Sequence, residues 1–338
     1  MNLLNNQYNY SIDSNSVAFF LHNVLIWQSS GGKLRVVTRS DFDGLVCVAL
    51  LQELDMVSDI LYVHPKDIQD GKVSITPYDI LANVPYVPEC ALWFDHHSSE
   101  EERLKFEGKF EGLSIKAAST AQVIYEFYGG EGEPRMAKFK TLIESVNKAD
   151  SAKYTRDDII HPKGWMMMAF LTDPRTGLGY HRGFKISNFQ LMKKLPDYFQ
   201  TMSIQEILGL SDVKERIEVY KASVHKYIKF ITMHSTTVGN AAIIDVRGVK
   251  EKPIGNRFLE YAIFPEQNIS IRLSDGKNQA NVMISMGKSI LNRTSALDVG
   301  SLMLGYHGGG HKAVGTCQVD NWEVPTVLEN LLKHINKS

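Results

Sequence analysis

Leu34-Arg35-Val36-Val37-Thr38-Arg39-Ser40-Asp41-Phe42-Asp43-Gly44 joins a short apolar, β-branched run to a pair of carboxylates. The run reads as a buried strand. Gly44 to Leu54 follows it with Leu45, Val48, Ala49 and Leu51 at helical spacing. Asp41 and Asp43 therefore sit in a strand-to-helix turn, where two acids one residue apart can point towards a common site. A second stretch repeats the plan, with Ala91-Leu92-Trp93-Phe94 running into Asp95-His96-His97. An acid followed by two imidazoles at a buried strand end is costly unless the groups are paired or ligate a metal. Each turn alone also has a bland reading: a helix N-cap with a solvated acid, or two structural histidines. Together they are stronger, because parallel strands bring both turns to the same sheet edge.

Working outward, Ile60-Leu61-Tyr62-Val63 reads as a further buried strand, and Ser119 to Phe127 and Met136 to Val146 read as helices. Buried strands alternating with helices imply βαβ units and a parallel sheet, whose ligands sit at the carboxyl ends of the strands. Ser187 to Lys229 looks helical and could connect two domains. From Ala241 strand patterns return, at residues 242–244, 269–273 and 280–284, with helices expected at 256–263 and 298–304. The expected architecture is α/β: an N-terminal parallel-sheet domain with helices on both faces (1–190), a helical connector (191–234) and a smaller C-terminal α/β domain (235–338).

Three further groups stand out. Asp79, in Pro77-Tyr78-Asp79-Ile80-Leu81, and Asp150, after the second helix, each end a candidate element; considered singly, each reads as a cap or surface acid. Tyr306-His307-Gly308-Gly309-Gly310-His311-Lys312 lies between a helix and a strand. Its three glycines would let backbone N–H groups approach an anion closely. A flexible turn is the plain alternative. The HGGG run also occurs in esterase oxyanion loops, but no GxSxG elbow accompanies it.

Composition narrows the field. Hydrophobic residues make up 43% and charged residues 22% of 338 residues, which excludes a wholly disordered chain. Lys plus Arg is 37 against 38 for Asp plus Glu, so the chain lacks the basic character of a protein that coats long nucleic acid. Cys47, Cys90 and Cys317 are scattered and odd in number, which excludes a fully paired disulfide framework and fits a reducing compartment. The start has no basic region, so no signal peptide is expected. The apolar run Val17 to Trp27 is too short for a bilayer and reads as an amphipathic helix. The expected locale is the cytoplasm.

Asp41-Phe42-Asp43, Asp79, Asp95-His96-His97, Asp150 and Gly308-Gly309-Gly310-His311, in this order, resemble the DHH phosphoesterase family with its C-terminal DHHA1 domain. The resemblance covers about residues 34–150 and 235–320. It implies two divalent metal ions, manganese with magnesium as the alternative. Asp41 would bind one and Asp43 the other, Asp79 would bridge them, and His96 and Asp150 would complete the second site. His97 would face the substrate phosphate, Asp95 would orient the imidazoles, and the glycine loop with His311 would hold the substrate. One departure is plain: many members carry a histidine just before the first aspartate pair, and here Val37-Thr38-Arg39-Ser40 stands there. Arg39 cannot ligate a cation because it stays protonated. It would contact phosphate or serve a structural ion pair; Arg293, in the second domain, would face the substrate or lie in a solvated loop.

Two metals about 3.5–4 Å apart would bind a phosphoryl oxygen and activate a water for in-line attack. The expected function is a manganese-dependent phosphodiesterase of short oligonucleotides or dinucleotides. Exopolyphosphatase or pyrophosphatase activity is the alternative within enzymes, and a non-catalytic nucleotide-binding module the alternative outside them. A haloacid-dehalogenase-type phosphatase also uses Asp-x-Asp after a strand, but would leave Asp95-His96-His97 unexplained. The partners implied are a short nucleic acid or nucleotide and no membrane, with a homodimer left open.

Overall fold

The computed structural model describes residues 32–97, 110–276 and 279–336; the expected helix at 17–27 lies outside them. The chain divides into two compact units, Met1–Ile143 and Glu144–Ser338.

The first unit is built on β1 (Leu34–Thr38), α1 (Phe42–Glu53), β2 (Val57–Tyr62), α2 (Pro65–Gln69), β3 (Asp79–Ala82), β4 (Leu92–Asp95), β5 (Gly112–Ser114), α3 (Thr120–Phe127) and α4 (Pro134–Ala137). Its sheet is parallel throughout, in the order β2-β1-β3-β4-β5. β1 lies inside the sheet, paired on both sides, with Thr38 beside Tyr62 of β2 and Ala82 of β3. α1 is apolar around its whole circumference, which is the composition of a core helix, and every residue from Phe42 to Leu51 is buried. It packs against α3. A parallel sheet of order 2-1-3-4-5 reverses its winding between β1 and β3, and ligands collect at the carboxyl ends beside that reversal.

α5 (Lys140–Asp150) begins in the first unit and ends in the second. There follow α6 (Arg156–Ile160), α7 (Gly164–Thr172), α8 (Asn188–Thr201), α9 (Ile204–Gly209) and α10 (Ser211–Met233). The chain then forms β6 (Ser235–Val238), β7 (Ala241–Asp245), α11 (Leu259–Ile263), β8 (Ile269–Asp275), β9 (Val282–Lys288), α12 (Val299–Leu304), β10 (Gly309–His311), β11 (Val314–Val319) and α13 (Val324–Ile335).

The second sheet has the order β10-β11-β9-β8-β7-β6 and is antiparallel except between β7 and β8. Alternation sorts its faces. Ile269, Ile271 and Leu273 of β8 join Val282, Ile284 and Met286 of β9 in a core that α12 and α13 close with Val299, Met303, Val327 and Leu331. On the other face, Ser270 and Arg272 donate to the two carboxylate oxygens of Glu260 on α11, at 2.8 and 2.5 Å. Among the described residues, no helix is long and apolar enough to cross a membrane.

Candidate metal centre and active site

The β1–α1 turn is tight because Gly44 has no side chain. A Cβ there would stand 2.1 Å from the Arg39 carbonyl oxygen and 2.8 Å from Thr38 Oγ1. The close approach lets Asp41 cap α1, its Oδ1 accepting from the Gly44 N–H at 3.1 Å. The same Oδ1 accepts from Asn83 Nδ2 at 3.3 Å, and Oδ2 forms an ion pair with Arg39 Nε at 2.9 Å. The arginine expected either to meet phosphate or to form an ion pair is thus paired with the first aspartate of the motif.

Asp43 lies two residues further on, in the first turn of α1, and is 2% exposed. Its carboxylate accepts from the backbone N–H groups of Thr120 at 3.0 Å and Ala121 at 2.8 Å, the first residues of α3. A helix N-terminus is where orphan N–H groups meet an anion most favourably. Burial nevertheless pushes the Asp43 carboxyl up from its ordinary range; neighbouring Asp41 adds to the rise, and His96 and the two N–H groups oppose it. The carboxylate is therefore short of positive charge.

His96 follows β4 and directs Nε2 to 3.9 Å from Asp43 Oδ2. Its Nδ1 stands 3.3 Å from the Ala117 carbonyl oxygen. A carbonyl only accepts, so Nδ1 carries a proton and Nε2 is the ring nitrogen on the Asp43 side, the arrangement in which an imidazole ligates a metal through Nε2. Asp150, the last residue of α5, joins this pair. Asp43, His96 and Asp150 each offer a ligand atom, and the three atoms lie within 4.8 Å of one another.

Asp95 is 1% exposed and serves His97 rather than both imidazoles. Its Oδ1 accepts from His97 Nδ1 at 2.9 Å and its Oδ2 from the His97 backbone N–H at 3.2 Å. The two bonds hold the His97 ring through its Nδ1 side. The rings of His96 and His97 lie 4.1 Å apart.

Asp79 is not brought to this cluster. It is the first residue of β3, paired in register with Arg35, at the amino edge of the sheet. Arg35 donates to both its oxygens, at 2.6 and 2.8 Å, and Thr76 donates through its N–H and hydroxyl, at 2.7 and 3.0 Å. The residue that reaches the carboxyl edge beside β1 is Asn83, which sequence reasoning missed. It is 2% exposed and left-handed, at φ 58°. Its signal was the apolar run Ile80-Leu81-Ala82 just before it, a strand too short to stand out.

This geometry makes Asp79 structural. Asp79→Ala is expected to lower stability by about 2–4 kcal/mol, because it strands donors of a mostly buried ion pair. Denaturant unfolding reads the loss, and metal binding by the folded protein should not change. Weakened metal binding at unchanged stability would return Asp79 to the site.

In the second unit, the glycine cluster forms an edge strand rather than a loose turn. β10 pairs with β11, Gly309 beside Thr316 and Gly310 beside Gly315. Two of the glycines answer to packing. A Cβ at Gly308 would stand 2.3 Å from the Thr316 carbonyl oxygen, and one at Gly310, whose φ is 157°, 2.2 Å from that of Val314. At Gly309 a Cβ would meet nothing within 4 Å. His311 is exposed at the end of the strand. Arg293 is tied to backbone, donating to the carbonyl oxygens of Ile290 at 2.9 Å and Ala152 at 3.2 Å, the latter two residues beyond Asp150.

No protein-family profile matches the chain, and no curated protein matches it. Among solved structures, the pGpG-specific phosphodiesterase PggH from Vibrio cholerae is 42% identical, with a TM-score of 0.76, over 90% of this chain and 99% of that one. RecJ from Thermus thermophilus, in complex with Mn2+, is 11% identical with a TM-score of 0.49, over 95% of this chain and 55% of that one.

Proposed function

The chain belongs to the DHH phosphoesterase family, and from that premise we propose that it is a metal-dependent phosphodiesterase of short oligonucleotides, with pGpG the first substrate to test. The observation that carries the reading is the meeting of Asp43, His96 and Asp150 beside the Asp95–His97 pair. Two carboxylates and a neutral imidazole suit a hard or borderline divalent cation, and the imidazole favours manganese over magnesium. The buried Asp43 carboxylate, held up from its ordinary range, calls for such a charge. The likeness to a pGpG-specific enzyme along nearly the whole of both chains supports the dinucleotide class. Three buried free cysteines accord with a cytoplasmic setting.

A divalent ion held by Asp43, His96 and Asp150 would supply Lewis-acid polarisation of the scissile phosphoryl group. The remaining work falls to the chain. His97, held by Asp95 through Nδ1, is placed to exchange a proton with a phosphoryl or leaving oxygen, passing through an imidazolium that the Asp95 carboxylate stabilises. The Gly309 backbone, with no fold reason to be bare, offers a surface to the substrate, with His311 beside it. Hydrolysis of pGpG takes one water and breaks one P–O bond, giving two molecules of pG.

Purified protein with Mn2+ is offered pGpG, a ladder of longer RNA, and polyphosphate, and products are separated by chromatography. Turnover confined to pGpG and the shortest RNA is expected. Loss of polyphosphate alone would replace the reading with the phosphoanhydride one. Gly309→Ala is expected to leave the melting temperature unchanged and raise KM for pGpG about tenfold, roughly 1.4 kcal/mol. An unchanged KM would remove Gly309 from the substrate surface.

A further inference from the structure

The geometry points to one metal ion in this active site, with the Arg39 guanidinium standing as the second positive charge. This rests on the metal-dependent reading above.

A binuclear centre needs a carboxylate for each ion and an anionic bridge between them. Asp43 meets the first need, with His96 Nε2 3.9 Å away and the backbone bonds of α3 behind it. Asp41 does not meet the second. Its Oδ1 already accepts from Gly44 N–H and Asn83 Nδ2, and its Oδ2 is paired with Arg39 Nε at 2.9 Å. An ion bound at Asp41 would have to displace a permanent cation from the oxygen it needs. Guanidinium does not lose its proton in proteins, so no change of protonation clears the place.

The bridge is missing as well. Thr38 and Ala82 are side by side in the sheet, so the residues next after them, Arg39 and Asn83, leave the same sheet edge together. An amide there has no charge with which to hold two cations. Its orientation is set, because turning the amide would aim Oδ1 at the Asp41 carboxylate. Asn83 Oδ1 is buried and has no hydrogen-bond partner among the described residues. It is an acceptor for a water or a ribose hydroxyl rather than an anionic ligand. Asp79, the acid nearest in sequence, is saturated by Arg35 and Thr76 at the far edge.

Arg39 can replace the charge of a second ion without its Lewis acidity. Its side chain is 31% exposed, so it can take a phosphoryl oxygen through its remaining N–H groups while held by Asp41. Guanidinium presents a planar fork that matches phosphate geometry. Stabilisation of the charge on the phosphoryl oxygens would then be shared between an ion held at Asp43 and the Arg39 guanidinium.

Equilibrium dialysis of the whole protein against Mn2+, with bound metal counted by atomic emission, tests this with and without GMP present. One ion per chain is expected in both conditions, with the six-line electron paramagnetic resonance of isolated Mn2+. Two ions per chain, or an exchange-coupled signal, would overturn the inference and leave metal dependence standing. No bound ion in either condition would overturn metal dependence itself, and this inference with it. The double variant Arg39→His, Asn83→Asp supplies a second arm. It is expected to bind two ions and show the coupled signal, with near-wild-type melting as the check on folding. A folded double variant that still binds one ion would show that these residues do not exclude the second, and the inference would fall.

Discussion

His96→Ala is expected to lower hydrolysis of pGpG by about 10³-fold or more and to abolish Mn2+ binding, while the protein stays folded. The imidazole is the neutral donor of the triad, its tautomer set by the Ala117 carbonyl and its Nε2 directed at Asp43. Without it the ion keeps only carboxylate donors, and Asp43 loses a neighbour that lowers its pKa. A catalytic metal contributes several kcal/mol of transition-state stabilisation, and about 4 kcal/mol is about 10³-fold at 1.36 kcal/mol per decade. The fold should survive, because His96 lies just past the end of β4 and takes no part in its ladder. Steady-state kinetics and metal dialysis on one preparation give both readouts. A variant that keeps a tenth of wild-type activity, or binds Mn2+ as the wild type does, would remove His96 from the ligand set.

The family resemblance drew its force from two turns, and those turns were legible for physical reasons. The ends of β1 and β4 are buried, and Val36-Val37 and Leu92-Trp93-Phe94 read as apolar runs. The first charged residues after each run fall at the carboxyl edge. The rule that parallel strands deliver their following residues to one edge then brings Asp43 and His96 together from sequence alone. The same rule fails where the strand goes unseen. β3 is four residues long, and its opening acid, Asp79, drew attention as a carboxylate when it was the strand's first residue rather than the one after its last. Reading from the residue type selected Asp79; reading from the end of Ile80-Leu81-Ala82 selects Asn83. The glycine cluster was legible as a group but not residue by residue. Which of the three serves packing depends on where the Thr316 and Val314 carbonyls lie, and register across β10 and β11 decides that.

The division of labour between the two histidines gives the second large effect. Asp95→Asn should lower kcat by about 10²–10⁴-fold with metal stoichiometry unchanged. Asp95 spends one oxygen on the His97 ring and the other on the His97 backbone N–H. A carboxylate can accept both; an amide of the same shape has one oxygen. If that oxygen keeps the backbone bond, the NH2 faces Nδ1 and forces it to accept. The ring proton then moves to Nε2, and the imidazolium that a proton-donating His97 must pass through loses its counter-charge. A buried aspartate that orients a catalytic histidine typically costs about 10⁴-fold when made asparagine, and general acid–base catalysis as a whole about 10²–10⁴-fold. The loss should appear in kcat more than in KM, since the change is felt where charge develops. His97→Ala should cost about as much, and Asp95→Asn in that background little more, because the two act as one unit. Equal activities of wild type and Asp95→Asn, with both proteins folded, would leave His97 a binding residue whose tautomer does not matter. A large further loss in the double variant would mean that Asp95 acts on something other than His97.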